Sequence, residues 1–75
     1  MDDNTLEYFY KERLEERIIE HLASKHDIDY QAAMSIYYNS KLAEKIHLGE
    51  YGIQYLDHKV LVEILEQTEP ELFEG

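Results

Sequence analysis

Leu6, Tyr10, Leu14, Ile18 and Leu22 recur at every fourth position, with Phe9 and Ile19 beside them. Apolar residues at this spacing form one stripe along an α-helix. Asn4 stands before the stripe and Glu7 three residues later, a capping-box pattern, so the spacing predicts a helix over about residues 5–24. Lys11, Glu12, Glu15, Glu16 and Glu20 are expected on the opposite face. Glu7–Lys11 and Lys11–Glu15 are spaced for ion pairs, each worth a few tenths of a kcal/mol. The stripe extends over roughly 25 Å, whereas the later helices are near 15 Å each. The Leu6–Tyr10 end is therefore expected to outrun its neighbours. Two coverings suit it: a homodimer contact burying Leu6, Phe9 and Tyr10 against a symmetry mate, or Leu72 and Phe73 folding back from the tail.

The rest of the chain reads as three shorter helices. Asp29 is a good N-cap for the second, and Ile28 before it can pack on Ala33 as a hydrophobic staple. Ala33, Ile36 and Tyr37 make its inner face, flanked by Tyr30 or Met34. Asn39-Ser40 caps a short third helix with Leu42, Ala43 and Ile46 on its apolar side and Gly49 as its C-terminal glycine. Residues 50–56 contain Gly52, Ile53 and two tyrosines in near alternation. They read as a connector whose aromatic rings reach back onto the core; a lone short strand has no partner strand. Asp57 caps the fourth helix, with Leu56 and Leu61 in staple positions and Val60, Leu61, Ile64 and Leu65 facing inward. Pro70 stops it near Thr68. The expected fold is one all-α domain over residues 1–75: a compact bundle of one long N-terminal helix and three short helices, with an acidic tail from about residue 69.

At 75 residues a core is modest, and without cysteine no disulfide or thiolate metal site can reinforce it. Oligomerisation is the remaining source of extra stability. The acidic opening Met1-Asp2-Asp3-Asn4 is unlike a signal peptide, and no apolar run reaches the roughly 18–20 residues of a membrane span. A cytoplasmic protein is expected.

Seventeen acidic residues against seven basic give a net charge of −10, spread evenly along the chain. Nucleic-acid affinity comes from neutralised phosphates, and anionic membranes make the same demand. Neither is an expected partner. A basic protein is favoured by steering, although an acidic surface also serves solubility alone.

No motif carries chemistry. His21, His26, His47 and His58 lack the spacing that sets two metal ligands on one helix face. His47 suits the C-terminal end of the third helix as a cation. Ser24, Ser35 and Ser40 stand in no nucleophile elbow, and Gly49 and Gly52 do not make a phosphate loop. No catalytic, metal or cofactor-binding residues are expected, and the chain is read as non-enzymatic.

The surplus is aromatic: seven tyrosines and two phenylalanines. Tyr8, Phe9 and Tyr10 are consecutive and cannot all face one core. Tyr37 and Tyr38 pose the same conflict, and Tyr51 and Tyr55 flank Gly52. Tyrosine suits interfaces because it buries area and keeps a polar tip; at the rim of a small core it can instead cover that core partly. Tyr10 and Tyr37 are assigned to the core. The candidate interface is Leu6, Tyr8, Phe9, Tyr10, Tyr38, Tyr51, Tyr55, Leu72 and Phe73.

Residues 35–46, with Tyr38, Ser40 and Leu42 forming a Y-x-S-x-L helix junction, are followed by Tyr51-Gly52-Ile53-Gln54-Tyr55-Leu56-Asp57 and Lys59-Val60-Leu61. This stretch resembles small uncharacterised helical proteins of bacteria, some encoded beside toxin-like genes. Asp57 departs from the capping serine often found there. The resemblance covers about two thirds of the chain and implies an antitoxin or immunity role exercised by covering a basic surface.

The leading expectation is thus a protein-interaction module, with a homodimer as its expected state. A nucleic-acid mimic is the second, and requires one continuous acidic row, with Glu12, Glu16 and Glu20 extended by Glu63 and Glu66. A helix-turn-helix DNA reader is the third, but its recognition helix would hold only Lys41 and Lys45 as bases, with Glu44 between them.

Overall fold

The computed structural model of the chain describes residues 3–74; the opening Met1-Asp2 and the final Gly75 lie outside the described residues. Four α-helices follow one another: α1 (Asp3–His26), α2 (Tyr30–Tyr38), α3 (Lys41–Leu48) and α4 (His58–Thr68). A 3-10 connector, Glu50–Tyr55, joins α3 to α4, and a 3-10 turn, Pro70–Phe73, closes the tail. No strand forms among the described residues. The long axis measures 43 Å against 22 and 18 Å across. A helix of this length alone supplies about 36 Å of it.

α1 is longer than its stripe predicted, and Asn4 lies inside the helix and not at its cap. Its packing phase is also rotated from the expected one. Leu14, Ile18, Ile19 and Leu22 are buried, and Glu15 is buried with them. α2 adds Ala33 and Tyr37 to this core, α3 adds Leu42, Ala43 and Ile46, and α4 adds Leu61, Val62 and Leu65. Val60, expected inside, is exposed; Val62 takes its place. The cause is the helical period, which puts Leu61, Val62 and Leu65 on one side with Ile64 at its margin.

Caps fix where the short helices begin. Asp29 accepts from the Ala32 amide at 2.7 Å, and Asp57 from the Lys59 amide at 2.8 Å. α3 has a double cap. Ser40 accepts from the Ala43 amide at 3.1 Å, while the buried Glu69 carboxylate, just past α4, accepts from the Lys41 and Leu42 amides at 2.8 and 3.2 Å. Together they satisfy three amides that a helix start leaves orphaned, and a carboxylate there suits the helix dipole. Gly49 ends α3 in the left-handed region, φ 68°. A Cβ there would lie 3.3 Å from the Gln54 amide, so geometry and space both call for glycine.

The connector departs from expectation. Its aromatic rings do not fill the core; Ile53 packs at the core margin and Gln54 is buried instead. Tyr51 stands fully exposed with φ 55°, a left-handed conformation that costs a bulky residue roughly 1–2 kcal/mol. Leu56, the expected staple, is also exposed.

The tail folds against the far end of α1 and not over the Leu6–Tyr10 end. Phe73 stacks on His26 with ring centroids 4.6 Å apart, and Leu72 packs at the core margin beside it. Glu66 of α4 pins the same place, 2.6 Å from Lys25 and 2.6 Å from His26. Burial pushes the Glu66 carboxyl upward, but the hydrogen bonds from Lys25 and His26 outweigh it and hold the group below its ordinary value of 4.5.

Two measurements check this framework. Glu69→Ala strands two amides at the start of α3 and should cost about 1–3 kcal/mol in urea denaturation, whereas Glu71→Ala on the exposed turn should stay within about 0.5 kcal/mol. Because the Glu66 carboxyl is depressed in the folded state, its contribution is complete above 4.5 and is lost as pH falls through the depressed value. Glu66→Gln should therefore flatten the loss of stability on acidification below 4.5, read by denaturation at successive pH values.

Candidate interaction surface

Phe9 and Ile18 are nine residues apart, about two and a half turns, so they point to opposite sides of α1. Ile18 is fully buried while Phe9 is 57% and Leu6 55% exposed. On the core side of the same two turns stand polar residues. Glu7 accepts from Gln54 Nε2 and from the Tyr55 hydroxyl, each at 3.1 Å, and Lys11 donates to the His47 carbonyl at 3.0 Å. The N-terminal third of α1 is thus inverted: polar toward the protein, apolar toward solvent. Glu7 and Lys11 spend their charge on the connector and on the last turn of α3, in place of the expected pairs along α1.

The inversion distributes the aromatic cluster. Phe9 and Leu6 point outward. Tyr8 lies on one flank, 5.7 Å edge-on from Phe9, with its hydroxyl on Glu12 at 3.1 Å. That hydrogen bond raises the Tyr8 hydroxyl above the ordinary tyrosine value. Tyr10, expected in the core, is exposed on the other flank, 5.5 Å from Tyr55. The Tyr55 hydroxyl is raised in the same way by Glu7. Leu6, Phe9, Tyr10, Glu12, Arg13 and Glu16 line a shallow, open depression of about 540 Å³.

Of the nine expected interface residues, the structure brings Leu6, Tyr8, Phe9, Tyr10 and Tyr55 together at one end of α1. Tyr38 is exposed at the end of α2, its ring 5.1 Å from the buried Tyr37. Tyr51 projects fully exposed from the connector. Leu72 and Phe73 belong to the opposite end, about 25 Å along α1 from Phe9 to His26.

Several acids that sequence placed on the surface work inside the protein. The Tyr37 hydroxyl donates to Glu15 at 2.7 Å in the core, and burial followed by this bond raises the tyrosine far above its ordinary value. Glu15 held a readable signal: it follows Leu14 and precedes Ile18 by three, which places it beside the buried stripe. Glu66 is paired and Glu69 caps α3, while Arg13 and Arg17 interleave with Glu12, Glu16 and Glu20 on the outer face of α1. The expected acidic row of Glu12, Glu16 and Glu20 is therefore flanked by two arginines, and Glu66, its expected extension, is paired with Lys25 and His26. His21 and His58 meet edge-on at 5.8 Å, and no group of three possible metal ligands assembles among the described residues.

Comparison with protein-family models, curated proteins and solved structures finds no match to this chain.

The inverted face separates surface from core in a measurable way. Leu6→Ser and Phe9→Ser should leave stability within about 0.5 kcal/mol of wild type, because their side chains already face water. Leu14→Ala, one turn further along, should cost about 2–5 kcal/mol by emptying part of the core. Thermal and urea denaturation of the three variants compare them directly.

Proposed function

We propose that this chain is a non-enzymatic protein-interaction module whose contact surface is the outer face at the N-terminal end of α1. The observation that carries the reading is the inversion at Leu6 and Phe9. Two large apolar side chains are held outward, more than half exposed, by a helix whose inward positions there are polar. Tyr8 and Tyr10 extend the patch on either flank, and rigid aromatic residues of this kind supply contact area at low entropic cost. A clustered apolar patch on a small surface is a mark of an interaction site.

The partner is a protein: a second copy of this chain, or a basic protein steered by the net charge of −10. An antitoxin-like, immunity-like or regulatory role in the cytoplasm fits such a module. Among the described residues no helix is long and apolar enough to cross a membrane. A nucleic-acid mimic gains no support, since two arginines flank its acidic row and Glu15, Glu66 and Glu69 are engaged within the protein. A DNA reader is disfavoured because the Glu69 carboxylate occupies the start of α3, where a phosphate would approach.

Capture from the parent cells tests the reading. Immobilised wild-type protein should retain a defined set of proteins, and Phe9→Glu should release them while keeping the helical circular dichroism spectrum. Equal retention by wild type and variant would move the contact surface elsewhere.

A further inference from the structure

We propose that the outer face of α1 pairs with the same face of a second copy of this chain, the two helices running antiparallel about a two-fold axis. This rests on the reading of that face as a contact surface and names what covers it.

The first support is an unresolved charge pattern. Arg13 and Arg17 lie one turn apart, and Glu12, Glu16 and Glu20 form a like-charged row beside them. Like charges at this spacing weaken an isolated helix. All five side chains are exposed, and among the described residues no ion pair engages Arg13, Glu16, Arg17 or Glu20. Arg13–Glu16 and Arg17–Glu20, three apart, partly offset it along the helix, but no ion pair closes between them among the described residues, so these charges stay available to a second chain.

The second support is where the arginines fall. The chain has two, and both stand on this face. Glu12, Arg13, Glu16, Arg17 and Glu20 sum to −1 within a chain of −10. Two such acidic chains therefore meet little net repulsion across this face. A basic partner would meet both arginines here.

The third support is the order of residues. Apolar Leu6 and Phe9 come first, then Arg13, Glu16 and Arg17, then Glu20, over about 21 Å of helix. An antiparallel pair sets Arg13 of each copy against Glu16 of the other, twice. It also brings Arg17 of each copy to the aromatic end of the other, where a guanidinium can lie on the Phe9 or Tyr10 ring. A parallel pair sets Arg13 on Arg13 and Glu16 on Glu16. The antiparallel arrangement is isologous and closes at two copies.

Sedimentation equilibrium of the purified chain tests this, with circular dichroism confirming that each variant keeps its fold. Wild type should dimerise at high micromolar concentration. Arg13→Glu alone and Glu16→Arg alone should each weaken the dimer by about tenfold or more, because each sets like charges together at the two-fold. The double variant R13E/E16R should recover it. An equimolar mixture of the two single variants should form a heterodimer that neither forms with itself. A wild type that stays monomeric, while Phe9→Glu still abolishes capture of a cellular protein, overturns the second copy and leaves the contact surface standing. Single variants that dimerise as tightly as wild type overturn the arrangement as well.

Discussion

The packing of the C-terminal two thirds of α1 against α2 and α4 is the constraint from which the rest of the structure follows. Leu14, Ile18, Ile19 and Leu22 bury themselves among Ala33, Tyr37, Leu61, Val62 and Leu65. Burying side chains of this size contributes roughly 1.5–3 kcal/mol each before conformational entropy is offset. α2 has 9 residues and α4 has 11, so they cannot cover a helix of 24. At the N-terminal end of α1 only the connector and the last turn of α3 reach the helix, through Glu7 and Lys11, and the apolar residues there face away from the protein.

Polar groups complete what this small core leaves undone. Glu15 meets the Tyr37 hydroxyl inside it, Glu69 ties the end of α4 to the start of α3, and Glu66 ties α4 to the end of α1. Each joins segments distant in the chain. The acidic composition therefore has a structural part: Glu15 and Glu69 are buried acceptors for donors of other segments, and Glu66 is a half-buried one. The remaining acids keep the surface charged. The outer face of α1 differs from both groups, because there acids and arginines alternate around Leu6 and Phe9.

Local signals in the sequence carried much of the fold. The helical period of Leu14, Ile18 and Leu22, the caps at Asp29, Ser40 and Asp57, the stop at Pro70 and the left-handed Gly49 each act within a few residues, and each was readable. Tertiary outcomes were not. Tyr10 and Leu6 continue the stripe of α1 by spacing, yet they lie on the outer side because four-residue steps drift against a 3.6-residue turn. Glu69 looked like tail composition; its role depends on α3 arriving beside it, which no local pattern encodes. The aromatic surplus pointed to the end of α1, where Leu6, Tyr8, Phe9, Tyr10 and Tyr55 do gather, but it also enrolled Leu72 and Phe73, whose partner His26 lies at the other end. Arg13 and Arg17 drew no notice, because two bases among seventeen acids look like ordinary surface until the helix phase is known.

The central claim is that the outer face of α1 meets another protein surface and that this surface is a second copy of the chain. Amide chemical shifts across a dilution series, from high micromolar to low micromolar protein, read it most directly. The account predicts concentration-dependent shifts grouped at Leu6, Phe9, Arg13, Glu16 and Arg17, with Leu61, Val62 and Phe73 unchanged. Spectra that are identical at every concentration, or shifts centred on α4 and the tail, would contradict it.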